Sequence, residues 1–243
     1  MKILAIVPTH DRLEFLPDAL ASLKRQTHPA DKIIVTGNVG PGTITDKPLD
    51  SRLNEAIESG DCDAFFILCD DDMLEPTFIE KTASVMEKTG VDIVYTDRRE
   101  FGSYDFHNAS GIMKIIYAIL LFIHAVLFKR IVRAKAWTEK NIDHDTVPFI
   151  TALCKKSAWR AAEKFDSVPF FDWHFWWKCF YAGATASHIP EPLFLYRRSP
   201  GQGGNHMDHR TTRKEVLALH KTIKSKRNNN EQASGKRVDG DVE

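Results

Sequence analysis

The sequence predicts an α/β protein in which a mostly parallel sheet carries helices on both faces. Short apolar runs alternate with amphipathic stretches from residue 2 to about residue 95, and a polar turn follows each apolar run. Strands that alternate with helices are typical of parallel sheets, because each crossover lays a helix over the sheet. With 243 residues, of which 43% are hydrophobic, the chain suits one domain with its own core.

These patterns assign the elements in chain order. The first strand is apolar and stops at Pro8, and the helix after it has leucines at helical spacing. Ligands of such sheets bind beyond the carboxyl ends of the strands, which places the expected site at the turns after each strand. The predicted elements are a strand at 2–7, a helix at 13–26, a strand at 32–35, a Gly/Pro-rich loop at 37–48, a helix at 51–59, a strand at 64–69, a helix at 76–88 and a strand at 92–95.

Three consecutive carboxylates, Asp70, Asp71 and Asp72, follow the apolar run that ends at Cys69. Adjacent acids at the end of a buried strand repel one another unless a cation lies among them. A hard divalent cation such as Mg²⁺ or Mn²⁺ fits, because it takes one or two protein carboxylates and completes its shell with water and phosphate oxygens. The alternative is a solvated acidic turn that also caps the helix starting near Pro76.

Five segments carry a family resemblance. Residues 8–12 (Pro-Thr-His-Asp-Arg) are similar to a Pro-Thr-Tyr-Asn-Arg motif, and residues 51–57 resemble an Arg-Asn-x-Gly/Ala-Ile helix start. Residues 68–72, with Pro76, match a metal-binding Asp-x-Asp segment, and residues 171–176 look like Glu-Asp-Trp-Asp-Phe-Trp. The segment 189–197 is similar to the one that follows in the same proteins. In this order and spacing, the chain resembles the family 2 glycosyltransferases, inverting enzymes of the GT-A fold that use nucleotide-sugar donors.

The resemblance covers about residues 2–100 and 147–198, and it implies a Rossmann-like GT-A fold and transfer of a hexosyl or related group. A metal at the acidic triplet would neutralise the charge that grows on the leaving diphosphate. Asp70 and Asp72 have the literal Asp-x-Asp spacing, whereas counting back from Pro76 puts the family's metal carboxylate at Asp71. We therefore assign the triplet as a unit, with one residue turned to the ribose.

The resemblance also implies that Asp172 is the general base that deprotonates the acceptor hydroxyl. An aromatic run follows it and would exclude water and raise the pKa of its carboxyl group. Taken alone, the pattern favours an aspartate that caps a core helix with a buried aromatic face, and the resemblance reverses that preference. The glutamate that precedes the base in the family is Phe171 here.

The nucleotide pocket departs from the family pattern at several positions. His10 replaces an aromatic residue and would stack on the base or serve as a polar turn residue. Asn38 would read a base edge or belong to a plain loop, and Arg12 and Arg52 would contact diphosphate or base or form surface ion pairs. Asp97 would face the donor sugar or the acceptor. The predicted nucleotide-sugar-binding residues are Pro8, Thr9, His10, Arg12, Asn38, Arg52, Asp70, Asp71 and Asp97.

UDP is the expected donor nucleotide, although residues 36–40 replace the family's uracil-recognising Asp-Asp-Gly-Ser. The family's histidine after Tyr-Arg is also absent at the usual spacing. A glycine-rich loop at 201–206 ends in His206, which would take that role or remain a solvated loop residue. The predicted metal ligands are Asp70, Asp71, Asp72 and His206, for Mn²⁺ or Mg²⁺.

An apolar segment at 111–128, followed by basic residues, interrupts the family pattern. A membrane span is disfavoured, because it would place Asp172 across the membrane from Asp71. A helix in the membrane interface, an oligomer contact and a buried helix remain as interpretations. We thus predict a GT-A domain at 1–224 with an apolar helical insertion at about 108–136, where the family inserts acceptor-binding structure, and a disordered tail at 225–243.

Composition limits the function and the compartment. The formal net charge is zero, so no global basic field favours nucleic acid. The four cysteines lack metal-like pairing, which favours a reducing cytoplasm, with the protein soluble or peripheral at the membrane. The sequence also leaves open a non-catalytic sugar-nucleotide or glycan-binding module, or a transferase acting on hydroxylated nucleic-acid bases.

Overall fold

The structure, a computed structural model, describes residues 1–9, 13–37, 47–102, 130–198 and 209–233. The strands are β1 Ile3–Thr9, β2 Lys32–Gly37, β3 Ala64–Ile67, β4 Met73–Leu74, β5 Ile93–Gly102, β6 Ile131–Val132, β7 Leu153–Lys155 and β8 Ala186–Arg198. The helices are α1 Leu16–Lys24, α2 Leu49–Ser59, α3 Phe78–Thr89, α4 Glu139–Ile142, α5 Lys156–Ala161, α6 Phe171–Tyr181 and α7 His209–Ala233.

The strands form one eight-stranded sheet in the order β2-β1-β3-β7-β5-β8-β4, and β6 pairs with β5. Strand β1 runs parallel to β2 and β3, and β5 runs parallel to β8. Strands β4, β6 and β7 run antiparallel to their neighbours. Since β1, β2, β3, β5 and β8 all point the same way, the predicted mostly parallel α/β sheet is confirmed.

Two apolar cores lie on the two faces of the sheet. Phe65 belongs to the core that includes side chains of α2, α5 and α6, whereas its neighbour Phe66 belongs to the core that includes α1 and α3. Successive residues of a strand point to opposite faces, so one short apolar strand supplies both cores. This explains why β3 reads as a continuous apolar run, and it confirms the prediction of helices on both faces.

Helix α3 ends at Thr89 with a glycine cap. Gly90 follows the helix with φ of 73°, in the left-handed conformation that glycine adopts without a Cβ clash, and its N–H donates to the Met86 carbonyl at 2.9 Å. The chain then enters β5, whose far end reaches the expected site. Helix α1 is shorter than predicted and covers residues 16–24 of the expected 13–26.

The predicted insertion at about 108–136 lies mostly outside the described residues, and so does all of its apolar part at 111–128. Its end is described and contains β6. Helix α7 continues to Ala233, past residue 225, at which the sequence predicts a disordered tail. Within the described ranges, the structure has no helix long and apolar enough to span a membrane.

Candidate active site

The carboxyl ends of β1 and β2 are joined by Arg52 from α2. Its Nη1 donates to the Thr36 carbonyl at 2.9 Å and to the Thr9 carbonyl at 3.3 Å. Gly37 allows this approach, because a Cβ there would lie 2.0 Å from the Thr9 oxygen and 2.1 Å from Arg52 Nη1. Arg52 is thus buried and holds the two strand ends together, and the predicted contact to diphosphate or base remains a prediction.

Thr9 and Pro8 line the end of β1 as the sequence predicts. Thr9 is 2% exposed, and its hydroxyl Oγ1 has no hydrogen-bond partner among the described residues. A buried hydroxyl without a partner is costly, so it marks a place where a ligand or an ordered water supplies the bond. The other predicted pocket residues His10, Arg12 and Asn38, and the predicted metal ligand His206, lie outside the described residues.

The acidic triplet forms a turn immediately after β3. The Asp72 N–H donates to the Cys69 carbonyl at 3.1 Å, which folds the segment back on itself. The ligand atoms of Cys69, Asp71 and Asp72 lie within 4.8 Å of one another. Asp70 is fully buried and is not a member of this group, so the two carboxylates brought together are those of Asp71 and Asp72.

The chemistry of these donors fits a divalent cation. Carboxylate oxygens are the ligands that Mg²⁺ and Mn²⁺ prefer, whereas a thiolate suits softer metals. The two aspartates therefore supply the hard ligands, with Cys69 Sγ beside them. No pattern in the sequence predicts that Cys69 lies in this group.

Arg197 on β8 fastens the acidic turn to the sheet. Its backbone N–H donates to Asp72 Oδ1 at 2.8 Å, and its Nε donates to the Asp71 carbonyl at 2.7 Å. The guanidinium group also pairs with Asp18 on α1 at 2.7 Å and lies over the ring of Phe15. Charge-assisted hydrogen bonds of this kind fix geometry, so Arg197 orients the Asp72 carboxylate and holds the backbone of Asp71.

Asp172 lies in the first turn of α6, two residues after Phe170, which adopts a left-handed conformation with φ of 51°. Non-glycine residues in this conformation are uncommon and strained, and such strain often accompanies functional sites. Burial raises the pKa of the Asp172 carboxyl group, and hydrogen bonds from the backbone N–H groups of Trp173 and Asp172 itself oppose that rise. Since Phe170 is the residue at the cap position, Asp172 sits inside the helix rather than at its cap.

The aromatic run after Asp172 holds α6 rigidly. Trp173, Trp176 and Trp177 are each no more than 2% exposed. The Trp173 indole N–H donates to the Ile142 carbonyl at 2.7 Å, and that of Trp177 donates to Asp143 at 3.0 Å. Both the base interpretation and the core-helix interpretation expect this burial, so burial by itself does not separate them.

Asp97 lies at an irregularity of β5, between Thr96 and Arg98 in the register with β8. Its carboxylate accepts from the backbone N–H of Ala134 at 2.9 Å and contacts His188 Nε2 at 2.7 Å. The His188 ring is partly exposed and stacks on Tyr95 with centroids 5.0 Å apart. Asp97 is predicted from the sequence and His188 is not, because their pairing joins residues 91 positions apart.

Comparison with known proteins finds likeness only in solved structures. No protein-family model matches the chain, and no curated protein matches it. The structure of S. aureus TarS 1-349 in complex with UDP-GlcNAc aligns with a TM-score of 0.61 and 14% identity over 90% of this chain and 66% of that one. TarS 1-349 in complex with UDP aligns with a TM-score of 0.56 and 14% identity over 82% and 61%.

TarS 1-349 without a stated ligand gives a TM-score of 0.57 and 13% identity, over 81% of this chain and 60% of that one. This chain therefore spans less than two thirds of the length of these structures. Likeness at such low identity shows the fold, and the neighbours are GT-A-type glycosyltransferases. The predicted GT-A fold is thus confirmed.

Proposed function

We propose that this protein is an inverting, metal-assisted glycosyltransferase that moves a sugar from a nucleotide-diphosphate sugar to an acceptor hydroxyl. The observation that carries the proposal is the pair of carboxylates, Asp71 and Asp72, at the carboxyl end of a central strand of a GT-A sheet. A UDP-sugar is the proposed donor, because the aligned TarS structures hold UDP-GlcNAc and UDP. The acceptor is unassigned at this stage.

Asp71 and Asp72 would hold Mn²⁺ or Mg²⁺, which supplies Lewis-acid stabilisation to the leaving diphosphate when bound. Arg197 keeps the turn in place, because its backbone N–H donates to the Asp72 carboxylate and its Nε donates to the Asp71 main-chain carbonyl. The Thr9 hydroxyl, which has no hydrogen-bond partner among the described residues, offers a hydrogen bond at the end of the neighbouring strand β1. We assign these residues to donor binding, together with Pro8 and the fully buried Asp70.

Asp172 would take the proton from the acceptor hydroxyl as that oxygen attacks the sugar carbon. Attack on the side opposite to the leaving diphosphate gives inversion. Burial, which raises the pKa of this carboxyl group, strengthens it as a base. The phenyl ring of Phe171 stands where the family has glutamate, so the basicity of Asp172 here depends on burial rather than on an acidic neighbour.

The test is metal-dependent binding and hydrolysis of UDP-GlcNAc by the purified protein. We expect Mn²⁺ to raise the melting temperature with UDP-GlcNAc, and Asp71→Asn or Asp72→Asn to abolish that metal response. Asp61→Asn is the matched control, because it makes the same change just before β3, where Asp61 pairs with Lys2 at an exposed site.

Two results would count against the proposal. If both active-site variants keep a normal metal response, the cation is not held by this turn. If the wild-type protein binds the nucleotide and metal but neither hydrolyses the donor nor transfers sugar to any acceptor, the fold serves as a binding module.

A further inference from the structure

The segment that leads into α6 holds its backbone in a costly conformation. Residues 162–170, which we call the α5–α6 connection, contain Glu163, Lys164 and Phe170 with φ of 57°, 68° and 51°. Among the described residues, these are all of the non-glycine positions with positive φ. Such residues stay in the left-handed conformation only where surrounding contacts enforce it. The connection ends at the first turn of α6, which carries Asp172.

Asn54 on α2 supplies such a contact from a distant part of the chain. Its Nδ2 donates to the Phe165 carbonyl at 2.9 Å, and the Phe165 N–H donates to its Oδ1 at 3.0 Å. The same Oδ1 accepts from the Trp159 indole N–H of α5 at 3.2 Å. One side-chain amide thus binds both main-chain polar groups of Phe165, directly after the left-handed pair Glu163 and Lys164. Two bonds to one residue fix its position and its orientation together.

The Phe165 side chain carries this constraint into α6. Phe165 is 4% exposed, and its ring centre lies 5.8 Å from that of Phe171 and 4.1 Å from that of Phe175. Phe171 and Phe175 are related as i and i+4, so they lie on one face of the helix. Phe171 directly precedes Asp172 in the first turn. A continuous line of contacts therefore runs from Asn54 to the turn that carries the proposed base.

Lys178 fastens the connection from the side of α6. Its Nζ donates to the Lys164 carbonyl at 2.7 Å and pairs with the Asp166 carboxylate at 2.6 Å. Lys178 lies on the same helix as Asp172, so these bonds tie the connection back onto the helix that follows it. With Asn54 on one side and Lys178 on the other, the connection joins α2 to α6.

Helix α2 also braces the donor side of the candidate site. Arg52, two positions before Asn54, donates to the carbonyls of Thr9 and Thr36 at the ends of β1 and β2. The motif at 51–57 therefore contains two anchors, one to these strand ends and one to the α5–α6 connection. A single helix between the two anchors fixes how far the strand ends lie from the first turn of α6. Fixed spacing of this kind matters because reactivity falls steeply when reacting groups are misplaced.

We infer that Asn54 is a positioning residue, which acts through Phe165 and Phe171 to set where the Asp172 carboxylate lies relative to the bound donor. This inference rests on the proposed function for the role of Asp172 as base. The alternative is a purely structural network that stabilises the fold and leaves the carboxylate where it is. The two interpretations differ in what they predict for Asp172 when Asn54 is changed.

Two variants of the full chain test the inference. Asn54→Ala removes all three hydrogen bonds of the side chain. Asn54→Asp has the same shape and keeps an oxygen that accepts from Phe165 and Trp159, but it loses the amide donor to the Phe165 carbonyl. Melting temperatures verify that both variants fold, and Asn54→Asp provides the test if Asn54→Ala does not fold.

Gln26→Ala is the matched control. Gln26 is also a side-chain amide that binds main-chain groups of another part of the fold, because its Nε2 donates to the Glu75 carbonyl at 2.8 Å and its Oε1 accepts from the Ile79 N–H at 3.0 Å. These bonds join it to the start of α3 rather than to α6. The control should therefore lose stability as Asn54→Ala does, without moving Asp172.

Two measurements need no enzymatic activity. Hydrogen–deuterium exchange of peptides that cover residues 162–175 reports on the connection, and ¹³C NMR titration of labelled aspartates, assigned with Asp172→Asn, gives the pKa of Asp172. Burial raises that pKa, so a displaced first turn should let it fall toward the ordinary value for aspartate. We expect faster exchange and a lower pKa of Asp172 in Asn54→Ala, smaller changes in Asn54→Asp, and neither change in Gln26→Ala.

The third measurement is hydrolysis of UDP-GlcNAc in the presence of Mn²⁺. Asn54→Ala should lower kcat by about tenfold to 10²-fold and leave the KM for the donor near that of the wild-type protein, because the base moves and the donor-binding residues do not. Asn54→Asp should lie between Asn54→Ala and the wild-type protein. Gln26→Ala should keep the wild-type kcat.

The outcomes separate this inference from the proposed function. Faster exchange in Asn54→Ala with an unchanged pKa of Asp172 and an unchanged kcat would make the network purely structural and overturn the inference. Unchanged exchange, or equal effects of Gln26→Ala on the pKa of Asp172, would overturn it as well. If the wild-type protein neither hydrolyses the donor nor transfers sugar, the proposed function fails, and the exchange and pKa results still decide whether Asn54 positions Asp172.

Discussion

The acidic turn after β3 and the junction of α6 with α7 both bury polar side chains, but they stabilise them in opposite ways. At the turn, Asp72 keeps a hydrogen bond from the Arg197 N–H, and Arg197 places a positive charge beside it. At the junction, the rings of His174 and His220 contact each other through Nδ1 and Nε2 at 3.1 Å, and both pKa values are lowered by burial. The acidic turn thus stabilises charged side chains, whereas the junction of α6 with α7 favours neutral imidazole rings.

The junction excludes charge through aromatic packing. The His220 ring stacks on Trp177 with centroids 4.3 Å apart and meets Trp173 edge-on at 5.2 Å. Burial lowers its pKa to about 3, with the charge of His174 as the second cause and Asp143 opposing both. Its buried Nδ1 has no partner in the described part of the chain, so a proton there would have no acceptor. His220 is therefore neutral at pH 7.

His174 is the partner in this pair, and its other nitrogen faces a carboxylate. His174 Nε2 lies 3.1 Å from Asp166 Oδ2, which also accepts from Lys178 Nζ at 2.6 Å. Burial and then Lys178 lower the pKa of His174, while Asp166 opposes them. Across the same junction, Lys224 of α7 contacts Glu139, Asp143 and Tyr181. Helix α7 is therefore held against α6 by neutral aromatic and imidazole rings, with ion pairs beside them.

The largest effect is expected at Asp172, in the first turn of α6. Asp172→Asn should lower sugar transfer by roughly 10²-fold or more, because an amide keeps the shape but cannot accept the proton. UDP binding and the melting temperature should stay near those of the wild-type protein. Transfer within a few-fold of normal would remove Asp172 as the base and leave it as a residue of the first turn of α6.

The pH dependence of transfer sharpens the same point. Because burial raises the pKa of Asp172 above the ordinary value for aspartate, the base loses its charge at a higher pH as the pH falls. Transfer should therefore decline on the acid side at a higher pH than an unperturbed aspartate would give, while UDP binding persists. A decline of both together at the same pH would indicate unfolding or donor release instead.

Arg197→Lys should have the next largest effect. It keeps the positive charge and the backbone N–H to Asp72, but it removes the Nε bond to the Asp71 carbonyl. We expect the affinity for UDP with Mn²⁺ to fall by roughly tenfold, the usual worth of a charge-assisted hydrogen bond. Arg160→Lys, at an exposed position on α5, is the control. Equal affinities for both variants would contradict the role of Arg197 in orienting the turn.

His220→Phe tests the neutral side of the comparison. The pKa of His220 is about 3 in the folded protein and has the ordinary value of 6.5 in the unfolded chain. As the pH falls, His220 therefore binds a proton in the unfolded chain before it does so in the folded protein. His220 should therefore not affect the free energy of unfolding of the wild-type protein above pH 6.5. Below pH 6.5 that free energy should decrease, by about 2 kcal/mol at pH 5.

The phenylalanine ring keeps the stacking and cannot titrate, so the stability of His220→Phe should fall less between pH 7 and pH 5. Urea unfolding at the two pH values gives the difference. His28→Phe, at an exposed position, is the control and should keep the wild-type slope. If the free energy of unfolding falls between pH 7 and pH 5 by the same amount in His220→Phe as in the wild-type protein, the junction tolerates a charged imidazole.

The acidic turn after β3 was predictable from the sequence to a large extent. Carboxylates at the end of an apolar run stand out, and the alternation of strands and helices places the ends of β1 and β3 together. Asp71, Asp72 and Thr9 were named on this basis, and the structure brings the two aspartates together. The role of Asp172 as base stays a prediction.

The contacts that organise the site were not predictable in this way. Arg197 and Asp72 lie 125 positions apart, and Asn54 and Phe165 lie 111 apart. Lone histidines such as His188 and His220 carry no local signal, since their environment comes from other elements.

The sequence by itself determined the alternation of strands and helices, the presence of helices on both faces of the sheet and the turns at which polar residues collect. These features follow from periodicity and local backbone chemistry, which act over a few residues. The tertiary structure decided which charged groups meet and which imidazoles are neutral. Such properties depend on distances between groups far apart in the chain, and electrostatic and burial energies are set by those distances alone.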